Sequence, residues 1–306
     1  MVIGKPIQLD NRVVIVTGAG RGLGRAYAIL LAKKGAKVVV NDPGFDLSGS
    51  GNDSNVADAV VSEIKDAGGE ACASYDSIAD SLGGKAVAAA ALDNYGSIDG
   101  LVHNAGILRD KSFNKLSDGD IEEVLAVHLK GAFNVGRSVF SVMKEKGFGR
   151  IVFTTSASGL FGNFGQTNYG AGKAGLVGLM RVLSIEGEKY GITVNCISPS
   201  ARTRMTTEVL GKLSDQLDPD HIAPLVVYLC SDQCSLTSEI ISAGGGRFAR
   251  IFIGLTSGWY SGGDICSVEA ISEKMGLIMN TENFLIPKTG LEEIHAMSNA
   301  FYGKEE

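Results

Sequence analysis

Proline is scarce in this 306-residue chain, six residues against 41 glycines, so collagen-like and low-complexity chains are excluded and many tight turns are expected. Cysteine is sparse and odd in number. The five thiols (Cys72, Cys196, Cys230, Cys234, Cys266) are scattered, which excludes a disulfide framework and offers no metal-ligand spacing. Reduced, mostly buried cysteines and no metal are expected. Excess positive charge is also missing: 28 basic residues against 34 acidic ones leave a net charge of −6, without the basic face that nucleic acid demands. No apolar run approaches the roughly 20 residues of a membrane span. The polar stretch Gln8-Leu9-Asp10-Asn11-Arg12 comes too early for a secretory leader. The last residues, Gly303-Lys304-Glu305-Glu306, are not a Ser-Lys-Leu type address, so a cytoplasmic location is the default expectation.

What is present is apolar content sufficient for a core, 44% of residues against 20% charged. Short apolar runs alternate with amphipathic segments. Strands are expected at Arg12–Thr17, Ala36–Asn41, Glu70–Tyr75, Ile98–His103, Arg150–Thr155 and Ile192–Ile197. Helices are expected near Gly22–Lys34, Val56–Ala67, Ala86–Tyr95, Asp118–Lys146 and Asn168–Lys189. The alternation implies right-handed βαβ units in an α/β fold, a Rossmann-type doubly wound parallel sheet. Near-continuous runs such as Val13-Val14-Ile15-Val16 fit strands covered on both faces. Pro43–Asn55 reads as a polar loop. At Gly244-Gly245-Gly246 the chain changes character, so residues 1–243 are read as one dinucleotide-binding domain and 244–306 as a C-terminal extension packed on it.

Thr17-Gly18-Ala19-Gly20-Arg21-Gly22-Leu23-Gly24 follows the first strand and opens the first helix. Glycines in that setting allow a sharp turn and close approach of a pyrophosphate, while the helix start offers free N–H groups and a positive dipole end. The second strand ends at Asp42, 18 residues beyond Gly24. A carboxylate there accepts hydrogen bonds from ribose hydroxyls and repels a 2′-phosphate, which favours NAD over NADP. Arg21 pulls the other way, because a base beside the glycines is able to contact a 2′-phosphate; the desolvated carboxylate is expected to prevail.

Ser156 closes a strand, and Tyr169 and Lys173 stand four apart on the next helix, hence on one face. A phenol titrates near 10 when unperturbed, too high for a base at neutrality, and a neighbouring ammonium is expected to lower it. Ser156 is placed to hold a substrate oxygen, and together the three make a proton-transfer site beside a hydride acceptor.

These residues, over roughly Leu9–Gly246, resemble the short-chain dehydrogenase/reductase family. The likeness rests on the glycine loop at 17–24, Asp76 after the third strand, Asn104-Ala105-Gly106 after the fourth, Ser156, Tyr169, Lys173 and Pro199. It implies that Asp76 and Ser77 lie near adenine, that Asn104, Ala105 and Gly106 run along the cofactor, and that Lys173 also touches the nicotinamide ribose. Asn41-Asp42-Pro43-Gly44, the stretch Gly106–Phe113, Val127-His128-Leu129-Lys130-Gly131, the stretch Gly162–Tyr169, Arg204-Met205-Thr206 and Ala223-Pro224-Leu225-Val226 further resemble the subgroup of (3R)-hydroxyacyl-CoA dehydrogenases found within type-2 peroxisomal multifunctional enzymes. That resemblance implies reversible NAD-dependent oxidation of a (3R)-3-hydroxyacyl-CoA to the 3-ketoacyl-CoA. It also implies a homodimer or homotetramer built through the helices Asp118–Lys146 and Asn168–Lys189.

Four positions depart from the wider family. His128 stands where an asparagine commonly positions a water beside the lysine: the imidazole holds that water, the proton relay runs differently, or the ring is structural. His103 replaces the first asparagine before Ala105-Gly106, Ser200 follows Pro199 where glycine is commoner, and Arg202 falls where the subgroup prefers a small residue. Arg202, Arg204, Arg247, Arg250 and Lys274 are candidates for the phosphates of coenzyme A. A 17β-hydroxysteroid or a steroid side-chain CoA ester is the alternative substrate. A dinucleotide-binding sensor without catalysis is a third reading, opposed by the intact Ser156, Tyr169 and Lys173. A module of a longer multifunctional chain would place the protein in peroxisomes.

Overall fold

The computed structural model describes residues 5–46, 51–202 and 215–302. Arg204-Met205-Thr206 and the last four residues lie outside this set. In chain order the elements are β1 (Val13–Thr17), α1 (Gly22–Lys33), β2 (Lys37–Asn41), α2 (Asn55–Asp66), β3 (Glu70–Ser74), α3 (Ser81–Tyr95) and β4 (Gly100–His103). They continue with α4 (Asp118–Leu125), a π-helical turn (Ala126–Lys130), α5 (Gly131–Lys146), β5 (Gly149–Thr154), α6 (Ala157–Leu160), α7 (Thr167–Gly187), β6 (Ile192–Pro199), α8 (Ala223–Leu229), β7 (Ile240–Gly244) and β8 (Arg247–Ile251). Among the described residues these strands form one eight-stranded sheet in the order β3-β2-β1-β4-β5-β6-β7-β8. Pairing is parallel from β3 through β7. Only two residues join β7 to β8, so that last pair runs antiparallel. This is the doubly wound α/β sheet implied by the alternating pattern.

The strands β1, β2, β4, β5 and β6 are buried on both faces because successive Cβ atoms point to opposite sides and both sides are apolar. Val14, Val16, Val38, Val40, Val102, Val152 and Ile197 join Tyr27 and Leu31 of α1, Val60 and Ile64 of α2 and Val226 of α8 in one cluster. Each such side chain contributes on the order of 2 kcal/mol of burial. Strand order reverses between β1 and β4, which start from adjacent positions and lead to opposite halves of the sheet. That reversal opens a crevice at the carboxyl ends of these strands, the place where open α/β sheets bind ligands.

The opposite end of the sheet is closed by charge. Asp99 is buried just before β4. It accepts from the Val13 N–H at 2.9 Å, from Arg12 Nη1 at 3.0 Å and from Lys146 at the end of α5. Burial alone would raise this carboxyl, but the Lys146, Val13 and Arg12 hydrogen bonds together hold it below the ordinary carboxylate range. One side chain thus ties β1, β4 and the end of α5. The long helix expected over Asp118–Lys146 is broken into α4 and α5 by the π-turn, which carries His128. Ser117 starts α4 with a reciprocal capping box to Asp120.

The chain divides into two compact units, residues 1–250 and 251–306. The second contains a small antiparallel pair, β9 (Leu255–Thr256) and β10 (Phe284–Leu285), with α9 (Val268–Ile278) between these strands and α10 (Gly290–Tyr302) after them. Among the described residues Cys196, Cys230 and Cys234 are buried and Cys72 and Cys266 half-buried, all as free thiols. No helix among them is long and apolar enough to cross a membrane.

Replacing Asp99 by Asn is expected to cost about 3 kcal/mol at neutral pH, because two cations lose their buried partner. The native carboxyl titrates below its unfolded value, so its contribution is in place above the unfolded value and fades as the pH falls through the folded one. Denaturant titrations at pH 7 and pH 3 check this: the gap between wild type and variant should narrow in acid, and an equal gap at both would contradict the assignment.

Candidate active site

The glycine loop is shaped by what surrounds it. Gly18 has a φ of +63° and Gly22 of +52°, left-handed values that other residues resist. A Cβ on Gly18 would stand 2.7 Å from the Cα of Ala105, and one on Gly24 would stand 2.1 Å from the Gly18 carbonyl oxygen. The turn therefore packs its own backbone against the strand-to-helix connection and against the loop after β4. Thr17 fastens the two loops: its Oγ1 accepts from the N–H of Asn104 at 3.1 Å and of Ala105 at 3.2 Å. The Asn104 side-chain amide donates back to the carbonyls of Thr17 and Gly18. Asn104, Ala105 and Gly106 are thereby held beside the glycines.

At the start of α1 the capping position, Arg21, is extended, makes no side-chain cap, and is followed by no acidic residue in the first turn. The N–H groups there carry no side-chain cap and the positive dipole end is unneutralised, so the cradle suits the pyrophosphate of a dinucleotide. Asp42 sits at the rim of the same loop. Its Oδ2 accepts from the Gly20 N–H at 2.9 Å and its Oδ1 from the Gly44 N–H at 2.8 Å. The carboxylate is fixed at the mouth of the loop, and a Cβ on Gly20 would come within 2.9 Å of it. Arg21 donates to the Phe45 carbonyl at 3.1 Å, so its guanidinium is occupied by the chain's own loop. Asn41, at the end of β2, donates to the Ser74 and Asp76 carbonyls and fixes the turn in which Asp76 and Ser77 stand. Leu23 packs against the core beneath the loop.

The second half of the crevice carries the proton chemistry. Ser156 follows β5 and caps α6, with its Oγ accepting from the Ser158 N–H at 3.2 Å. Tyr169 and Lys173 lie on α7, which is tied back to β5 by the Thr155 hydroxyl donating to the Lys173 carbonyl at 2.7 Å. The Ser156 hydroxyl is near enough to the Tyr169 phenol to favour its ionised form. Lys173 Nζ lies 5.6 Å from the centre of the Tyr169 ring and donates to the Thr154 carbonyl at 2.6 Å. The lysine is 2% exposed, and burial pushes its ammonium down to about 7. The His128 ring meets that of Tyr169 edge-on at 5.1 Å.

One expectation is corrected here. The lysine was expected to pull the Tyr169 phenol down; instead, burial raises the phenol, with Ser156 acting against the rise and the Asp110 charge adding to it. The reason is shared desolvation. The same dry environment that keeps the phenol neutral also discharges the amine near neutrality, and the amine spends its hydrogen bond on a carbonyl. His128 is likewise kept neutral, first by burial and then by the Lys173 charge, and its Nε2 is engaged with the Ile107 backbone. A proton passing over this ring is therefore disfavoured.

The proposed phosphate ligands fare unevenly. Arg250 is held by both oxygens of Glu239, at 2.7 and 2.8 Å, and is not free for coenzyme A. Arg202 is half-exposed near Asp215 at 4.0 Å. Arg204 lies outside the described residues. Sequence reasoning named Thr17 only as part of the glycine loop and His103 only as a departure from the family, and it missed Gln166 and Asn168 as site-building residues. Asn168 donates to the Arg109 and Asp120 carbonyls and accepts the Tyr169 N–H. Gln166 donates to Asp110 at 2.6 Å and accepts from Ser158 at 2.7 Å. Their only sequence signal was proximity to Tyr169.

The short chain dehydrogenase family profile matches residues 12–216. The chain belongs to this family. It is 42% identical over 299 residues to the peroxisomal multifunctional enzyme A of Dictyostelium discoideum, covering 97% of this chain and 67% of that protein. The solved full-length peroxisomal multifunctional enzyme type 2 of Drosophila melanogaster superposes with a TM-score of 0.81 at 36% identity, covering 96% of this chain and 50% of that one. The chain thus spans about half the length of that Drosophila enzyme. A 7α-hydroxysteroid dehydrogenase solved with NADH and 7-oxo glycochenodeoxycholic acid superposes at 0.72 and 29% identity, over 80% of this chain and 98% of that one. This short-chain dehydrogenase is accordingly an oxidoreductase of the kind served by nicotinamide dinucleotides.

Thr17→Val keeps the shape of the side chain and removes the acceptor for two backbone N–H groups. It is expected to lower stability by about 2 kcal/mol and to weaken dinucleotide binding. Thermal melting and fluorescence titration with NADH measure the two effects; a variant unchanged in both would overturn the role given to Thr17.

Proposed function

We propose that the protein is an NAD-dependent (3R)-3-hydroxyacyl-CoA dehydrogenase that interconverts the 3-hydroxy and 3-keto thioesters. The observation that carries this reading is the union of Ser156, Tyr169 and Lys173 with a cradle whose rim carboxylate, Asp42, is pinned by Gly20. The likeness to peroxisomal multifunctional enzymes, all along the chain, supports the acyl-CoA as substrate. A hydroxysteroid is the second reading, favoured by the likeness to the 7α-hydroxysteroid dehydrogenase.

The dinucleotide, when bound, supplies the hydride acceptor. Residues Gly18 to Gly24, Asp42, Asp76, Ser77, Asn104, Ala105 and Gly106 are assigned to hold it, with Tyr169 and Lys173 at its reactive end. Ser156 Oγ already accepts from the Ser158 N–H, which leaves its own O–H to orient the substrate oxygen. Tyr169 takes the proton from that oxygen on oxidation and returns it on reduction. Because burial keeps the phenol protonated, it takes the substrate proton only as its own passes to Lys173, whose amine, discharged near neutrality, holds it as an ammonium donating to the Thr154 carbonyl. Positioning and one acid–base pair supply the catalysis. Asp42 disfavours a 2′-phosphate by charge, and Arg21, tied to Phe45, does not offset it.

Residues 244–306 are assigned to contacts with the coenzyme A ester or with a second copy of the chain. Two apolar stripes support this: Val268, Ile271 and Met275 on α9, and Leu291, Ile294, Met297 and Phe301 on α10, all exposed. The exposed Phe133 on α5 and Val182 and Ile185 on α7 support a homodimer or homotetramer through those helices.

NAD reduction assayed with (3R)- and (3S)-hydroxyacyl-CoA of several lengths and with estradiol tests the reading. Turnover is expected with the (3R) thioesters; turnover with estradiol alone would replace it by the steroid reading. Tyr169→Phe should abolish nearly all activity, about 1,000-fold or more, while NAD still binds. Asp42→Ala should raise the NADP/NAD ratio of kcat/KM about tenfold or more, and an unchanged ratio would contradict the role of Asp42.

A further inference from the structure

His103 ends β4 and is fully buried, on the strand that leads into the Asn104-Ala105-Gly106 loop. Its Nε2 lies 2.9 Å from the carbonyl oxygen of His128. A carbonyl only accepts, so His103 Nε2 carries the hydrogen, and the tautomer follows from the geometry. The carbonyl belongs to the π-turn Ala126–Lys130, in which the Gly131 N–H reaches back five residues to Ala126. Such turns widen a helix locally and cluster at functional sites.

The turn delivers the His128 ring to one place. Nε2 of that ring is 2.8 Å from the Ile107 carbonyl and 3.1 Å from the Ile107 N–H. A Cβ on Gly106 would stand 2.3 Å from His128 Cε1, and one on Gly172 of α7 would stand 3.3 Å from His128 Cβ. The ring thus lies against Gly106, its Cβ lies against Gly172, and the ring meets that of Tyr169 face to edge. Between strand β4 and the phenol runs one uninterrupted chain: His103 N–H to the His128 carbonyl, the His128 ring to the Ile107 backbone, and that ring to the Tyr169 ring.

We propose that His103 is a positioning residue for proton transfer: by donating to the His128 carbonyl it fixes the π-turn that holds the His128 ring edge-on against Tyr169. The inference rests on Tyr169 being the acid–base group of a dehydrogenase and not on the identity of the substrate. The polar and charged groups around Tyr169 are Ser156, Asp110, Lys173 on its own helix, and His128; of these Ser156 favours the ionised phenol and the Asp110 charge opposes it. A ring no longer braced by His128 would drift from Ser156 and become harder to ionise.

The test uses the NAD-saturated protein and three readouts. Nitrogen-15 NMR of the histidine rings should show His103 protonated at Nε2 and not at Nδ1. His103→Phe keeps a buried ring without the donor. It should lower kcat roughly 10- to 100-fold, with KM changed by no more than about twofold. It should also move the phenolate absorbance titration of Tyr169 upward, read as a difference against Tyr169→Phe. His103→Gln restores a donor at the same reach and should recover most of kcat and the original titration. Three results would overturn the inference: an Nδ1-protonated His103, a folded His103→Phe protein with wild-type kcat and phenolate titration, or His103→Gln as impaired as His103→Phe. If His103→Phe does not fold, the wild-type tautomer and the His103→Gln titration decide. If no hydroxyacyl-CoA is turned over, the NMR and absorbance readouts still decide this inference, and only the substrate reading falls.

Discussion

A lysine taken out of water without a carboxylate partner sets the terms for the whole site. Lys173 is buried on α7, and its Nζ donates to a backbone carbonyl, Thr154, at the end of β5. A carbonyl dipole does not repay the desolvation of an ammonium, so the amine loses its charge near pH 7. The cost to folding has a definite sign. Between about 7 and the ordinary lysine value of 10.5 the unfolded chain holds a proton that the folded chain does not, so stability rises with pH over that window, and below it the full burial penalty is present. Such a cost persists where function requires a base poised at neutrality. Tyr169, raised by the same burial, is a reluctant acid, and the two differ from a water-exposed pair in having their proton affinities pushed apart, the phenol up and the amine down.

The rest of the crevice keeps that pair dry and aimed. Thr155 locks the Lys173 carbonyl, Asn168 anchors the first turn of α7 to the loop after β4, and His128 backs the Tyr169 ring. On the other side of the strand-order reversal, glycines at 18, 20, 24 and 106 admit neighbours that any side chain would displace: Ala105, Asp42, the Gly18 carbonyl and His128. The glycine loop and the loop after β4 are therefore one packed object, with Thr17 and Asn104 as the stitches between them.

Much of this was legible in the residues. The Val- and Ile-rich runs located β1, β2, β5 and β6, because strands buried on both faces have no polar alternation to confuse with helix. The glycine loop, Asp42, Ser156, Tyr169 and Lys173 were legible because their spacing is local, set by one turn or one helix face. What escaped was long-range. The bond from His103 to the His128 carbonyl spans 25 positions, and that from the Asn104 N–H to Thr17 spans 87. The π-turn within Asp118–Lys146 leaves no periodic mark over five residues. The direction of the Tyr169 shift was misjudged because sequence supplies the neighbour, Lys173, but not the burial that outweighs it. Arg250 counted as a phosphate ligand until Glu239 took both sides of its guanidinium.

The central claim is that Lys173 is discharged near neutrality by burial alone. The most direct measurement is a carbon-13 NMR titration of the lysine ε-carbons, with Lys173→Met identifying the resonance. The Lys173 ε-carbon is expected to titrate with a midpoint about 7. A Lys173 resonance that titrates at the ordinary lysine value of 10.5 would contradict the claim.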